Sequence, residues 1–182
     1  DVTCLFYGKA IPFSNPRIEE IPKYGSIIYT IWNKKNEFIY VGIAGVRSGV
    51  PLKKRNPRSR LKAHASGRRS GNQFCVYVQD FFVIPEIIKS KNKYKPARQL
   101  LDKRTQEYIH KNLSYRYKVF QNNNGIQTVR GLESEIQGGV KGFGIPFLNG
   151  VIAEDPTKRL EYVFSQFELS NLNALLTGNT VL

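Results

Sequence analysis

The sequence of 182 residues has few of the side chains that form covalent or metal cross-links. It contains two cysteines, two histidines and no methionine. Cys4 and Cys75 form no CxxC pair, and no cluster of cysteine and histidine has the spacing of a zinc site. Neither a disulfide framework nor a structural zinc site is therefore predicted. Because methionine is missing, we expect that Asp1 is not the native initiator.

Long apolar segments are missing too. No run of residues approaches the roughly 20 apolar positions of a transmembrane helix, and no secretory signal pattern is visible. We therefore expect a cytoplasmic protein without a membrane partner. The chain length fits one domain over residues 1–182, and the sequence has no internal repeat.

What the sequence has in excess is positive charge. It carries 28 lysines and arginines against 14 aspartates and glutamates, which gives a formal net charge of +14. Such an excess suits a polyanionic partner, because each phosphate that is neutralised releases condensed counterions. The charge therefore favours nucleic acid as the partner. A merely basic soluble protein, or one that touches acidic lipid, is the alternative.

The apolar pattern predicts an α/β domain with a small, mainly antiparallel central sheet flanked by helices. An N-terminal arm over 1–24 precedes a core over 25–149, and a helical C-terminal extension over 150–182 follows, with its helix beginning near Asp155. Strands are predicted at 25–32, 38–41, 73–84 and 115–120, and helices at 57–66, 96–113 and 129–140. The first two strands form an antiparallel hairpin around the polar turn 33–36.

Several side chains that suit phosphate chemistry follow one another along these elements. Tyr29 ends a strand triplet, and Tyr40 opens the string Tyr40-Val41-Gly42 on the returning strand. Arg60 and His64 are four residues apart and share one helix face, and Glu133 follows a leucine on a later helix. Each has an ordinary explanation by itself, as a strand aromatic, a solvated charge or a surface carboxylate. Glu135 is a rival for Glu133.

Taken in order, these motifs resemble the GIY-YIG nuclease family over about residues 25–149. The resemblance implies a Mg²⁺-dependent (or Mn²⁺-dependent) endonuclease that hydrolyses DNA, with Glu133 as the metal ligand. It implies six catalytic residues: Tyr29, Tyr40, Arg60, His64, Glu133 and Asn149. Ile27 and Ile43 depart from the family pattern, and they favour a non-catalytic nucleic-acid-binding module as an alternative.

The residue types indicate how such a site would work. One carboxylate, with phosphate oxygens and waters, suffices for Mg²⁺, and the Arg60 guanidinium can donate two hydrogen bonds to a phosphate. Tyr40 would add a further hydrogen bond. Either Tyr29 or His64 would deprotonate or orient the attacking water, and histidine has the better-matched usual pKa. Backbone phosphates would be bound by Lys53, Lys54, Arg55, Arg58, Arg68 and Arg69.

The biological setting stays open at this point. A restriction-type enzyme is the preferred interpretation, and a structure-selective repair nuclease or a ribonuclease of the same fold is the alternative. A homodimer is an expectation that comes from the family alone.

Overall fold

The computed structural model of the chain describes residues 2–89, 98–122 and 124–150. The helix predicted to begin near Asp155 lies outside these residues. In the described ranges, no helix is long and apolar enough to cross a membrane.

Within the described ranges a four-stranded antiparallel sheet forms the centre of the protein, and the prediction of a small antiparallel central sheet is confirmed. Its strand order is β1-β4-β2-β3. The strands are β1 (Ile11–Pro12), β2 (Ser26–Asn33), β3 (Phe38–Ala44) and β4 (Leu113–Phe120). The central β2 has the sequence SIIYTIWN, and its first seven residues are buried, because β-branched and aromatic side chains pack well on both faces of a covered strand.

The predicted hairpin of β2 and β3 is confirmed, with Tyr29 directly opposite Gly42. Its turn is closed by Asn33, whose side-chain oxygen accepts hydrogen bonds from the backbone N–H groups of Lys35 and Glu37. Asn36 adopts a left-handed backbone with φ of 59°, a conformation that asparagine tolerates better than most residues. The polar turn therefore sets the register of the two strands.

Helices cover both faces of the sheet. They are α1 (Cys4–Tyr7), α2 (Arg58–Ala65), α3 (Gln73–Val78), α4 (Ile84–Lys89), α5 (Arg98–Asn112) and α6 (Gly125–Gln137). Short 3-10 turns occupy Ile18–Glu20 and Leu52–Lys54, and a π-helical turn, Gln79–Val83, joins α3 to α4. The end of α2 was predicted correctly, since Gly67 follows it with φ of +69° and closes the helix.

The strand predicted at 73–84 is wrong, because these residues form α3, the π-helical turn and the start of α4. A short apolar run rich in valine and phenylalanine has no periodicity that separates a strand from a buried helix. Phe74, Cys75 and Val78 are fully buried in the core cluster that also holds Tyr29 and Leu61. Packing onto that cluster decides the conformation, not local β-propensity.

Two further expectations need correction. Residues 1–24 are not only an arm, because β1 pairs with β4 and Leu5, Phe13 and Ile21 are fully buried. Helix α6 ends at Gln137 instead of reaching Val140. Val140 lies in a tight turn closed by hydrogen bonds between its backbone and that of Gly144, and its side chain still packs on the core.

The two sheet faces carry separate apolar clusters. Ile27, Tyr29 and Ile31 point into the cluster with α2, α3 and α5. Ile28 and Trp32 point the other way, into the cluster that α6 joins, as the two-residue period of a strand requires. Tyr29 therefore lies on one face of the sheet, and α6, the helix that carries Glu133, packs on the other.

Candidate active site

A cavity of about 350 Å³ lies beside the end of β3. Four of the predicted site residues line it: Tyr29, Tyr40, Arg60 and Glu133. Ser59 of α2 and residues 43–46, at and after the end of β3, complete the wall. Residues from the hairpin, α2 and α6 are therefore brought together at one place, although they are far apart in the sequence.

Gly42 makes room for the tyrosine pair. A Cβ atom at this position would lie 2.5 Å from the hydroxyl oxygen of Tyr29 and 2.7 Å from the Cε1 of Tyr40. The two rings are nearly parallel, with centroids 6.4 Å apart. Because residues opposite each other in a sheet share a face, only glycine allows the Tyr29 ring to lie over β3.

A chain of buried hydrogen bonds supports Tyr29 from behind. Its hydroxyl lies 2.7 Å from Nε2 of His64, and Nδ1 of His64 lies 2.9 Å from Oδ1 of Asn72. The amide nitrogen of Asn72 donates to the sulfur of Cys75, so its oxygen must accept from His64. This assigns the proton of the neutral imidazole to Nδ1, and Nε2 accepts from Tyr29.

His64 is not a free base at the cavity. It is 0% exposed, and burial, with the nearby charge of Arg60, lowers its pKa to about 3. From the usual pKa of histidine, His64 was expected to titrate near neutral pH. The structure contradicts this expectation, because its pKa is far lower. The imidazole is uncharged at neutral pH and reaches the cavity only through the Tyr29 hydroxyl.

Both tyrosines are protonated at neutral pH. Burial raises the pKa of Tyr40 to about 12 and raises the pKa of Tyr29 well above its usual value. The half-buried guanidinium of Arg60 lies beside both hydroxyls, and its positive charge works against the two increases. Arg60 therefore lies next to both hydroxyls in the lining of the cavity.

Glu133 is the carboxylate of the site. It is half-buried and lines the cavity, whereas Glu135 is exposed, so the structure separates the two rivals. Burial raises the pKa of Glu133 to about 7, against the opposing charges of Arg60 and Arg130. Val129 and Ile136 are buried on either side of it along α6, and this packing holds the carboxylate towards the cavity.

The donor set bears on which metal the site could hold. In the described part of the chain, no group of three histidine, cysteine, aspartate or glutamate side chains is close enough for one ion. Burial disfavours the charged form of a lone, half-buried carboxylate such as Glu133, and a neighbouring cation offsets that cost. These residues therefore fit an ion such as Mg²⁺, which keeps several waters and shares phosphate oxygens, and they do not fit zinc.

Asn149 forms hydrogen bonds with strand β3 and does not line the cavity. Its amide oxygen accepts from the backbone N–H of Val41 at 3.0 Å, and its amide nitrogen donates to the Val41 carbonyl at 2.5 Å. The backbone N–H groups of Phe147 and Leu148 donate to the same free edge of β3. Asn149 thus holds the backbone between Tyr40 and Gly42.

The predicted phosphate-binding residues fall into two groups. Lys53, Lys54 and Arg68 are exposed. Arg58 and Arg55 are turned inward: Arg58 donates to the carbonyl of Ile21 and pairs with Glu19 at 2.5 Å, and Arg55 donates to Val50 in its own loop. These contacts occupy donors of both guanidinium groups, and the exposed side chains of Lys53, Lys54 and Arg68 are the more accessible to a partner.

Arg69 lies between the two groups. It is half-buried, and its backbone N–H is within 3.4 Å of a carboxylate oxygen of Asp102. The side chain is not used in that contact.

Sequence reasoning missed two residues of the site. Asn72 orients His64, and no local pattern marks it, because its partner lies on another element. Arg130 stands three residues before Glu133 on α6, and that helical spacing was a usable signal.

No protein-family model, curated protein or solved structure matches the chain. The chemistry of the site therefore rests on the residues just described.

Proposed function

We propose that the protein is a metal-dependent endonuclease that hydrolyses phosphodiester bonds of DNA in the manner of a restriction-type GIY-YIG enzyme. The observation that supports this most is the convergence of Tyr29, Arg60 and Glu133 on one cavity. A tyrosine hydroxyl, a guanidinium and a carboxylate are three different groups with three different uses in phosphate hydrolysis.

Arg60 would bind the scissile phosphate. Its guanidinium presents several N–H donors in a planar arrangement that matches two phosphate oxygens. Charge on those oxygens grows in the transition state, so the interaction strengthens as the reaction proceeds. Drawing Arg60 onto the phosphate would also uncover the hydroxyl of Tyr29, which it flanks in the free protein.

Tyr29 and His64 would move the proton of the attacking water. As the water oxygen attacks phosphorus, its proton passes to the Tyr29 oxygen and the Tyr29 proton passes to Nε2 of His64, 2.7 Å away. The bond from phosphorus to the leaving oxygen breaks, and that oxygen takes a proton from solvent. In the free protein the imidazole is a weak acceptor, because burial and the charge of Arg60 lower its pKa to about 3. A phosphate bound to Arg60 would offset that charge, and Asn72, which accepts from Nδ1, would stabilise the imidazolium that forms.

Glu133 would hold the metal ion, and a bound Mg²⁺ would supply a positive charge that stabilises the phosphate and the departing oxygen. Ionisation of Glu133 is favoured by Arg60 and Arg130 on the protein side. Tyr40, protonated at neutral pH because burial raises its pKa to about 12, would donate a hydrogen bond to a phosphate oxygen.

A nucleic acid is proposed as the substrate because of the charge, and DNA because of the resemblance of the motifs to the GIY-YIG family. The formal net charge is +14, and Lys53, Lys54 and Arg68 are exposed, where they can contact backbone phosphates. A non-catalytic nucleic-acid-binding module is the second candidate. It is favoured by the presence of an apolar residue, Ile43, in the cavity lining.

One experiment separates these functions. The protein is incubated with supercoiled plasmid and with structured RNA, each with Mg²⁺, with Mn²⁺ and with EDTA, and Glu133→Gln serves as the matched control. We expect cleavage of the plasmid that requires the metal and Glu133. Metal-dependent cleavage of RNA alone would identify a ribonuclease, and tight DNA binding with no cleavage under any condition would identify the binding module.

A further inference from the structure

Arg130 shares one face of α6 with Glu133, because the two are three residues apart on the helix. Nη2 of Arg130 lies 3.4 Å from the carbonyl oxygen of Val46, and Val46 is part of the cavity wall. The guanidinium is therefore at the rim of the cavity, on the α6 side. Arg60 reaches the same cavity from α2.

The guanidinium of Arg130 is open to a ligand. Arg130 is exposed, and among the described residues no carboxylate lies within ion-pair distance of it. The contact with Val46 is long and uses one N–H of the five that an arginine carries. Arg58 is the opposite case, since Glu19 and Ile21 already occupy its donors.

The surroundings of Arg130 are suited to an anion. Arg47 follows Val46 directly in the sequence and is also exposed. Arg60 and Glu133 line the same cavity, and Arg130 reaches its wall at Val46, so two positive groups lie near one carboxylate. If Glu133 bound a cation, the rim of the cavity would carry an excess of positive charge, which a phosphate would balance.

We propose that Arg130 is a second phosphate-binding residue of this site, and that it holds a DNA phosphate adjacent to the one cleaved. The inference rests on the proposed function for the identity of the substrate. It adds a contact that fixes the register of the DNA strand: Arg60 takes the scissile phosphate, and Arg130 takes its neighbour on the α6 side.

A binding measurement tests the proposal first, because it needs no cleavage. Arg130→Gln is compared with Lys35→Gln, which removes the same charge from an exposed position in the turn at the far end of the hairpin. Duplex DNA is titrated in EDTA over a range of salt concentrations. We expect Arg130→Gln to weaken binding about tenfold and to reduce the salt slope by about 0.9, with Lys35→Gln unchanged.

A second measurement distinguishes a phosphate contact from an influence on Glu133. Once the cut made by the wild-type protein is mapped, one neutral methylphosphonate is placed at each phosphate flanking it. At one of these positions the methylphosphonate should lower the affinity of the wild type, but it should not lower further the already reduced affinity of Arg130→Gln. Arg130→Lys should recover part of the binding. Equal losses for wild type and Arg130→Gln at every flanking phosphate would overturn the proposal.

The two proposals can fail separately. A reduced salt slope in Arg130→Gln, with no cleavage by the wild type, would support the phosphate contact and reject the endonuclease. Cleavage by the wild type, with an unchanged salt slope in Arg130→Gln, would reject the contact and keep the endonuclease.

Discussion

The hydroxyl of Tyr29 lies 2.7 Å from Nε2 of His64, and both side chains are fully buried. The pair joins two elements, β2 and α2, whose residues are 35 positions apart in the sequence. Because Asn72 fixes the proton of the imidazole on Nδ1, the free electron pair on Nε2 faces Tyr29. The proposed proton path and two of the predictions below depend on this one contact.

Replacing Tyr29 by phenylalanine should abolish most of the turnover and leave DNA binding nearly unchanged. The substitution removes only the hydroxyl, so the ring still fills the space over Gly42. Loss of a proton-transfer group commonly lowers kcat by about a hundredfold or more. Single-turnover cleavage and a binding titration measure the two effects. Tyr24→Phe, at a solvent-exposed tyrosine, is the control, and equal activity of the two variants would contradict the role of Tyr29.

The contribution of His64 to the free energy of unfolding should fall as the pH drops below the usual pKa of histidine. Burial lowers the pKa of His64 from 6.5 to about 3 in the folded protein. Between these values the unfolded chain binds more protons at His64 than the folded one does, so this contribution rises with pH there and is level above 6.5. Glu133 contributes in the opposite direction, because its pKa is raised to about 7 in the folded protein. At about 1.4 kcal/mol per pH unit, His64 alone would cost up to about 2 kcal/mol between pH 6.5 and pH 5.

Urea unfolding of the wild type and of His64→Gln over pH 5 to 8 measures this contribution. The variant lacks the titrating group and keeps Glu133, so the difference in stability between wild type and variant, whatever its absolute size, should shift against the wild type by up to about 2 kcal/mol from pH 6.5 to pH 5. Parallel curves for the two proteins would show that His64 is not held neutral by the fold.

Glu133→Gln should lose cleavage by roughly a hundredfold or more, and Glu135→Gln should keep it. The first substitution removes a carboxylate that lines the cavity, and the second removes one that is exposed two residues away. Both remove one negative charge from α6 at nearly constant volume, so DNA affinity should not fall in either. Cleavage at several metal concentrations is the measurement, and the reverse order of activities would contradict the site.

Two glycine substitutions should have opposite effects on stability. Gly42→Ala places a methyl group 2.5 Å from the Tyr29 hydroxyl oxygen and should cost about 1–3 kcal/mol, as overpacking does, together with most of the activity. Gly131→Ala meets nothing within 4 Å on helix α6 and should add about 0.5–1 kcal/mol. Thermal and urea unfolding compare the two, and a stable, active Gly42→Ala would show that the tyrosine pair needs no such space.

The sequence alone predicted the hairpin and the helix of Glu133, because both depend on neighbours in the chain. Asn33 and Asn36 form a turn through contacts within four residues, and alternating or helical spacing of apolar residues marks the elements on either side. The net charge of +14 is likewise a property of composition. Any sequence with the same local pattern and composition would support the same predictions.

Only the tertiary structure decided the environment of each side chain. His64 is neutral because distant elements exclude water from it, and Arg58 is turned inward because Glu19, 39 residues away, is its partner. The apolar run at 73–84 became helical for the same reason, since its conformation follows from the cluster onto which it packs. Burial and partner choice are contacts between segments far apart in the chain, and local spacing carries no information about them.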